Sequence, residues 1–161
     1  MNTTSATITT LEQDNYFMGE ALKLARFAFS SNEVPVGAVL VFEDQIIGRG
    51  SNCPITTSDA TAHAEIMALR EAAKFFKNYR LPKTTLYVTL EPCIMCIGAM
   101  LHARIERLVF GAKDPKTGAI CSVFNLLDNK NHNHVITYKS GILEPDCSEL
   151  LTKFFKNKRN S

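Results

Sequence analysis

Two observations predict a three-layer α/β domain with a mixed five-stranded sheet. Short apolar segments that read as strands recur at 36–42, 46–50, 85–90, 108–112 and 135–138, and helical patterns separate the later ones. The first two strands are close enough to form a hairpin. A hairpin followed by alternating helices and strands calls for a sheet that mixes antiparallel and parallel pairs, with helices on both faces. At 161 residues and 45% hydrophobic content, the chain can bury one such core. We assign residues 1–12 to a disordered lead-in and 13–161 to a single domain.

In residues 14–29, Phe17, Ala21, Leu24, Ala25 and Ala28 fall at helical spacing, with Asp14 as the expected N-cap. Glu33-Val34-Pro35-Val36-Gly37 ends that helix. Glu43-Asp44-Gln45 joins the two hairpin strands, and 51–60, with Pro54, Asp59 and several Ser and Thr, reads as a loop. Ile66, Leu69, Ala73 and Phe76 then mark an amphipathic helix that carries His63 and Glu65 in its first turn. Residues 94–103 are nearly all apolar, which predicts a buried helix between the third and fourth strands. A final helix is expected from Glu144 to about Lys156, with Pro145 in its first turn.

The formal charge of +2 does not announce a nucleic-acid partner, and no apolar run approaches the 18 or more residues of a membrane span. The first ten residues lack the marks of a signal or transit peptide. Five cysteines, two of them three positions apart, suit a reducing compartment better than a secreted disulfide framework. Cys53, Cys121 and Cys147 read as small, partly buried hydrophobes. Asp128-Asn129-Lys130-Asn131-His132-Asn133-His134 reads as a solvated loop rather than a metal site.

Cys93 and Cys96 follow Pro92 at an expected helix N-terminus, where unpaired N–H groups favour thiolate. A Cys-x-x-Cys pair also fits a redox couple or half of a zinc knuckle. No second such pair exists here, and Ala62-His63-Ala64-Glu65 lies upstream. His63, Cys93 and Cys96 therefore form a candidate three-ligand zinc site whose fourth position stays open to water. Two thiolates and a neutral imidazole leave such a site uncharged and its water weakly acidified, so a general base is needed. Glu65 is the candidate.

His63-Ala64-Glu65 with Pro92-Cys93-Ile94-Met95-Cys96 resembles the signature of the zinc-dependent cytidine deaminase superfamily, whose members act on bases taken out of the stack. The segments 62–69, 86–93, 109–114, 33–37 and 116–119 extend the resemblance to the bacterial tRNA-specific adenosine deaminases, over about 16–159. The resemblance implies a cytidine deaminase-like α/β/α fold, one zinc per chain, and hydrolysis of the wobble adenosine of a tRNA anticodon to inosine with release of ammonia. It also implies a cytoplasmic homodimer, with the apolar 94–103 helix as a candidate interface. Glu65 becomes the proton shuttle, Asn52 a contact to the flipped base, and Val34, Pro35 and Asp114 pocket-lining residues. Cys53 and Cys121 depart from that pattern.

Two other readings share these residues: a free-base or nucleoside deaminase, and a zinc-stabilised RNA-binding module without activity. The C-terminal segment bears on the choice. Lys153, Lys156, Lys158 and Arg159 bring positive charge with no acid after Glu149, and Phe155 stands off the stripe formed by Leu150, Leu151 and Phe154. The cluster suits RNA phosphates and Phe155 a stacked base, with Lys74, Lys77, Arg80 and Lys83 as a second basic surface.

Overall fold

The computed structural model describes residues 9–161; of the lead-in expected over residues 1–12, residues 1–8 lie outside the described residues and residues 10–12 are helical. Five strands, β1 (Gly37–Phe42), β2 (Gln45–Ser51), β3 (Thr85–Leu90), β4 (Arg107–Ala112) and β5 (Thr137–Lys139), form one sheet in the order β2-β1-β3-β4-β5. β1 pairs antiparallel with β2 and β3, while β3, β4 and β5 run parallel. The mixed sheet is therefore as expected. The β1–β2 turn is Glu43-Asp44, both at positive φ (48° and 62°), the twist that a two-residue hairpin turn requires.

Both faces of the sheet are covered, and the alternation of side chains shows by what. Leu40, Leu86, Val88, Leu108 and Phe110 point to one core with α3 (Ala64–Phe76) and α4 (Ile94–Ala103). Their neighbours Val39, Val41, Tyr87 and Val109 point to a second core, with α1 (Thr10–Ser30) and α5 (Glu144–Arg159). Between β2 and α3 lies a short helix, α2 (Pro54–Thr57), inside the segment expected to be loop. The buried Glu33 side chain holds its start, accepting from the N–H groups of Ile55 and Thr56 at 3.2 and 2.7 Å.

α3 lies close upon the hairpin because both surfaces are small. Ala64, Ala68 and Ala72 form its buried stripe, and a Cβ on Gly50 or Gly48 would sit 2.1 Å from the Ala64 carbonyl oxygen or 2.3 Å from that of Ala68. These glycines set the height at which α3 begins.

Several boundaries differ from expectation. β5 starts at Thr137, with Val135 76% exposed, because only Ile136 turns into the core. α5 runs on to Arg159, and α1 starts at Thr10, capped by Thr9, whose hydroxyl accepts from the Glu12 N–H at 3.1 Å. Asp14 is thus not the N-cap. It lies within α1, fully buried, taking two bonds of 2.8 Å from the Arg107 guanidinium and one of 2.8 Å from the Tyr87 hydroxyl. A carboxylate so engaged ties α1 to β3 and β4 across the sheet.

Burial alone would raise the Asp14 carboxyl, but the bonds from Arg107 and Tyr87 outweigh it and hold it below its ordinary 3.8. A lowered folded value means that the contribution is present above the ordinary value and is lost as the pH falls through it. Asp14→Asn should cost about 3 kcal/mol, the low end for stripping one partner from a buried pair, because Arg107 keeps some solvent contact. Denaturant titrations at pH 7 and pH 3 check this, and the gap between the two proteins should narrow at the lower pH.

Candidate active site

β2 and β3 point the same way, since each runs antiparallel to β1. The chain leaving both therefore emerges at one edge of the sheet, and α3 and α4 both start there. His63 is the N-cap of α3 and Cys93 the N-cap of α4. Both have extended backbone, and neither side chain caps its own helix, so each is free to point between the two helix starts. Cys96 follows in the first turn of α4, fully buried.

The sequence places His63 and Glu65 in the first helical turn, at the open end of the axis, where residues on nearly opposite sides of a helix can still reach one centre. As the N-cap, His63 stands outside that turn, and Glu65, the second residue of α3, is 4% exposed beside it. His63 Nδ1 lies 3.6 Å from both Cys93 Sγ and Cys96 Sγ, and the three ligand atoms fall within 4.8 Å of one another. Among the described residues no other trio of His, Cys, Asp or Glu comes together in this way.

The electrostatics are uneven by construction. The Cys93 thiol is pulled down to about 4, chiefly by the hydrogen bond from the Cys96 thiol, with further help from His63. Cys96 is pushed up by that same bond and by burial, and His63 is raised by its bond to Cys93. Burial raises the Glu65 carboxyl, against hydrogen bonds that oppose it. This is a buried carboxyl with a raised pKa beside two thiols and an imidazole, a donor set that holds soft or borderline metals.

A cavity of about 190 Å³ opens over this group. Val34, Asn52, Leu90 and Asp114 line it together with His63, Glu65 and Cys93. Asn52 is fixed by donating from Nδ2 to the Val34 carbonyl at 3.3 Å. Pro35 is buried and is not among the lining residues: in an extended segment Val34 and Val36 face the cavity, and the residue between them faces away. Phe155 lies outside the cavity too. It lines an adjoining groove of about 560 Å³, 44% exposed, and the groove shares Val34, Leu90, Asp114 and Thr117 with the cavity.

The positive charge of that groove comes from Lys113, Lys116 and Arg159. Of the expected C-terminal cluster only Arg159 lines it; Lys158 turns the other way, its Nζ 5.6 Å over the Phe154 ring. Arg80 lines a separate cavity with Arg104 and His102, at the far ends of α3 and α4. His132 and His134 are half-buried, with Nε2 2.6 Å from the Leu126 and Ile105 carbonyls, so the loop that carries them is tied to the core rather than merely solvated. Sequence reasoning missed Lys113, Lys116, Glu33 and Glu91. Of the two glutamates, Glu91 did carry a signal, as a lone acid between Leu90 and Pro92.

Residues 12–159 match the family of MafB19-like deaminases. The tRNA-specific adenosine deaminase of Haemophilus influenzae is 55% identical over 92% of this chain and 86% of its own length. The chain belongs to the tRNA-specific adenosine deaminases. A solved structure from work on A-to-I editing by tRNA:A34 deaminases at the wobble position superposes on this deaminase with a TM-score of 0.82 and 44% identity, covering 84% of this chain and 99% of that one. A guanine deaminase from Nitrosomonas europaea is more distant, with a TM-score of 0.76 and 25% identity over 87% of this chain and 83% of that one.

If the deaminase holds its metal through these three ligands, His63→Ala, Cys93→Ala and Cys96→Ala should each lose most bound metal and some thermal stability, because ligation is coupled to folding. Glu65→Gln should retain it. Elemental analysis of the four proteins separates ligand from non-ligand directly.

Proposed function

We propose that this deaminase converts the wobble adenosine of a tRNA anticodon to inosine, using zinc held by His63, Cys93 and Cys96. The observation that carries the reading is the small cavity over the three ligands and Glu65, continuous with a basic groove. A free base needs an enclosed pocket, whereas a base that remains attached to its chain needs a small pocket with an open flank. The groove supplies that flank, with Lys113, Lys116 and Arg159 for phosphates and Phe155 for stacking on a neighbouring base. The relatives named above as tRNA-specific adenosine deaminases support the same substrate.

The donor set fits zinc. Tetrahedral bonds of about 2.05 Å to nitrogen and 2.3 Å to sulfur would separate the two ligand atoms by about 3.6 Å, and His63 Nδ1 lies 3.6 Å from each Sγ. When bound, the ion supplies a Lewis acid that makes water more acidic. Glu65 then moves the protons: it takes one from the water that attacks C6 of adenine and delivers it to N1. It carries the second to the amino group, which leaves as ammonia. The raised Glu65 carboxyl suits a group that must both take and return a proton. Asn52 holds the base edge, and Val34 and Asp114 flank it.

As in the sequence reading, a homodimer is proposed, with the outer face of α4 around the half-exposed Ile94 as the contact; its inner face, Cys96, Ile97 and Met100, is buried against this chain's own sheet. Sedimentation at micromolar concentration distinguishes dimer from monomer. A tRNA substrate would place the enzyme in the cytoplasm, in line with its free cysteines, and none of the described helices is long and apolar enough to cross a membrane.

Incubation of the zinc-loaded protein with an adenosine-bearing anticodon stem-loop, scored for inosine and ammonia, tests the reaction. Glu65→Gln should reduce turnover by about 10²–10⁴-fold. Inosine formation from the stem-loop by Glu65→Gln at the wild-type rate, or none by the wild type, would overturn the assignment. Replacing Lys113, Lys116 or Arg159 by Ala should each lower the log–log salt slope of stem-loop binding by roughly 0.7 to 0.9.

A further inference from the structure

We propose that Glu91 is a positioning residue that holds the 113–122 loop as one wall of the nucleotide pocket and fixes that wall relative to Cys93. Its carboxylate is 2% exposed and sits inside the loop. Oε1 accepts from the Asp114 N–H at 3.1 Å and from the Ser122 hydroxyl. Oε2 accepts from the N–H groups of Ile120, Cys121 and Ser122 at 3.0, 2.9 and 3.1 Å.

No strand or helix runs between Ala112 and Leu126, so these N–H groups have no ladder to join. One carboxylate takes the ladder's place, with the added strength of charge-assisted bonds. Gly118 closes over it so tightly that a Cβ there would lie 2.4 Å from the Glu91 carboxyl carbon. Backbone bonds fasten the same junction: the Glu91 N–H donates to Ala112 at 2.8 Å, and the Ala119 N–H to Pro92 at 2.9 Å.

Cys93 stands two residues beyond Glu91, so the metal ligands and the loop share one anchor. The loop's own contributions to the cavity are Asp114 and Thr117. They reach it in a fixed turn, since Asp114 accepts from the N–H groups of Lys116 and Thr117 and from the Thr117 hydroxyl. Glutamine at position 91 would keep the shape of the side chain but set an amide NH₂ against N–H donors. The loop would lose one of the two acceptor oxygens around which it is organised, while the three ligands would stay in place.

This inference rests on the stem-loop as substrate, and the experiment keeps the two apart. Glu91→Gln, Gly118→Ala and the double variant are compared with wild type for metal content, for KM and kcat on the adenosine-bearing stem-loop, and for amide exchange at Ile120, Cys121 and Ser122. Full metal content, faster exchange at those amides and a KM raised by about tenfold or more are expected, with kcat changed far less. The double variant should be no worse than the worse single one, because both changes release the same loop. If Glu91→Gln does not fold, Ser122→Ala removes one donor and should raise KM less, in the same direction. A folded Glu91→Gln protein with lower thermal stability but unchanged KM and exchange would overturn the proposal, as would loss of metal in step with loss of activity. If the wild type forms no inosine, the substrate reading fails, and amide exchange still reports whether Glu91 holds the loop.

Discussion

The site depends on a constraint of strand direction. Because β1 runs against both β2 and β3, those two strands end at the same edge, and the helices that follow them begin there. Two helix N-termini facing one point bring unpaired N–H groups and the positive ends of two dipoles together, which favours thiolates between them. The site thus lies at the C-terminal ends of parallel strands, where open α/β sheets bind their ligands. The small residues between α3 and the hairpin matter for the same reason: a bulkier side chain at Gly50 would lift Ala64, and His63 with it.

Four buried acids fall into two electrostatic kinds within one fold. Burial raises all of them. For Asp14, Glu33 and Glu91, hydrogen bonds from an arginine, a hydroxyl or backbone N–H groups more than offset burial, and each is held below the ordinary carboxylate range. Glu65 lacks such an enclosure, burial prevails, and its carboxyl is raised. The acid suited to carrying a proton is the one that the fold has not bonded into place.

The three bonded acids each organise a segment that would otherwise lack partners. Asp14 joins α1 to the sheet, Glu33 starts α2 on the approach to His63, and Glu91 holds the loop that brings Asp114 to the cavity. Loops carry the pocket walls, as is common, but here buried charge fixes their shape. The groove beyond is built differently, from α5 and that same loop, so its basic side chains come from distant parts of the chain.

The sequence by itself determined the order of the five strands and the four long helices, the two-sided burial of the sheet and the donor types at His63, Glu65, Cys93 and Cys96. Each depends on local pattern: alternation for strands, helical spacing for helices, and donor types at short separations. It misplaced Asp14 as a cap because an acid at the start of an apolar pattern looks alike whether water or Arg107 receives it. It set Pro35 in the cavity wall and left out Val36, since only the direction of an extended segment says which side chains face inward. It gave the groove's charge to Lys153, Lys156 and Lys158 and passed over Lys113 and Lys116, because the rotation of α5 about its axis is set by packing Phe154 and Cys147 against α1 and the sheet. Which acid is caged and which is free is likewise a property of folded neighbours. Glu33, Glu65 and Glu91 are the same residue type in sequence, and only the donors that tertiary structure gathers around them hold two of the carboxyls below the ordinary range and leave the third raised.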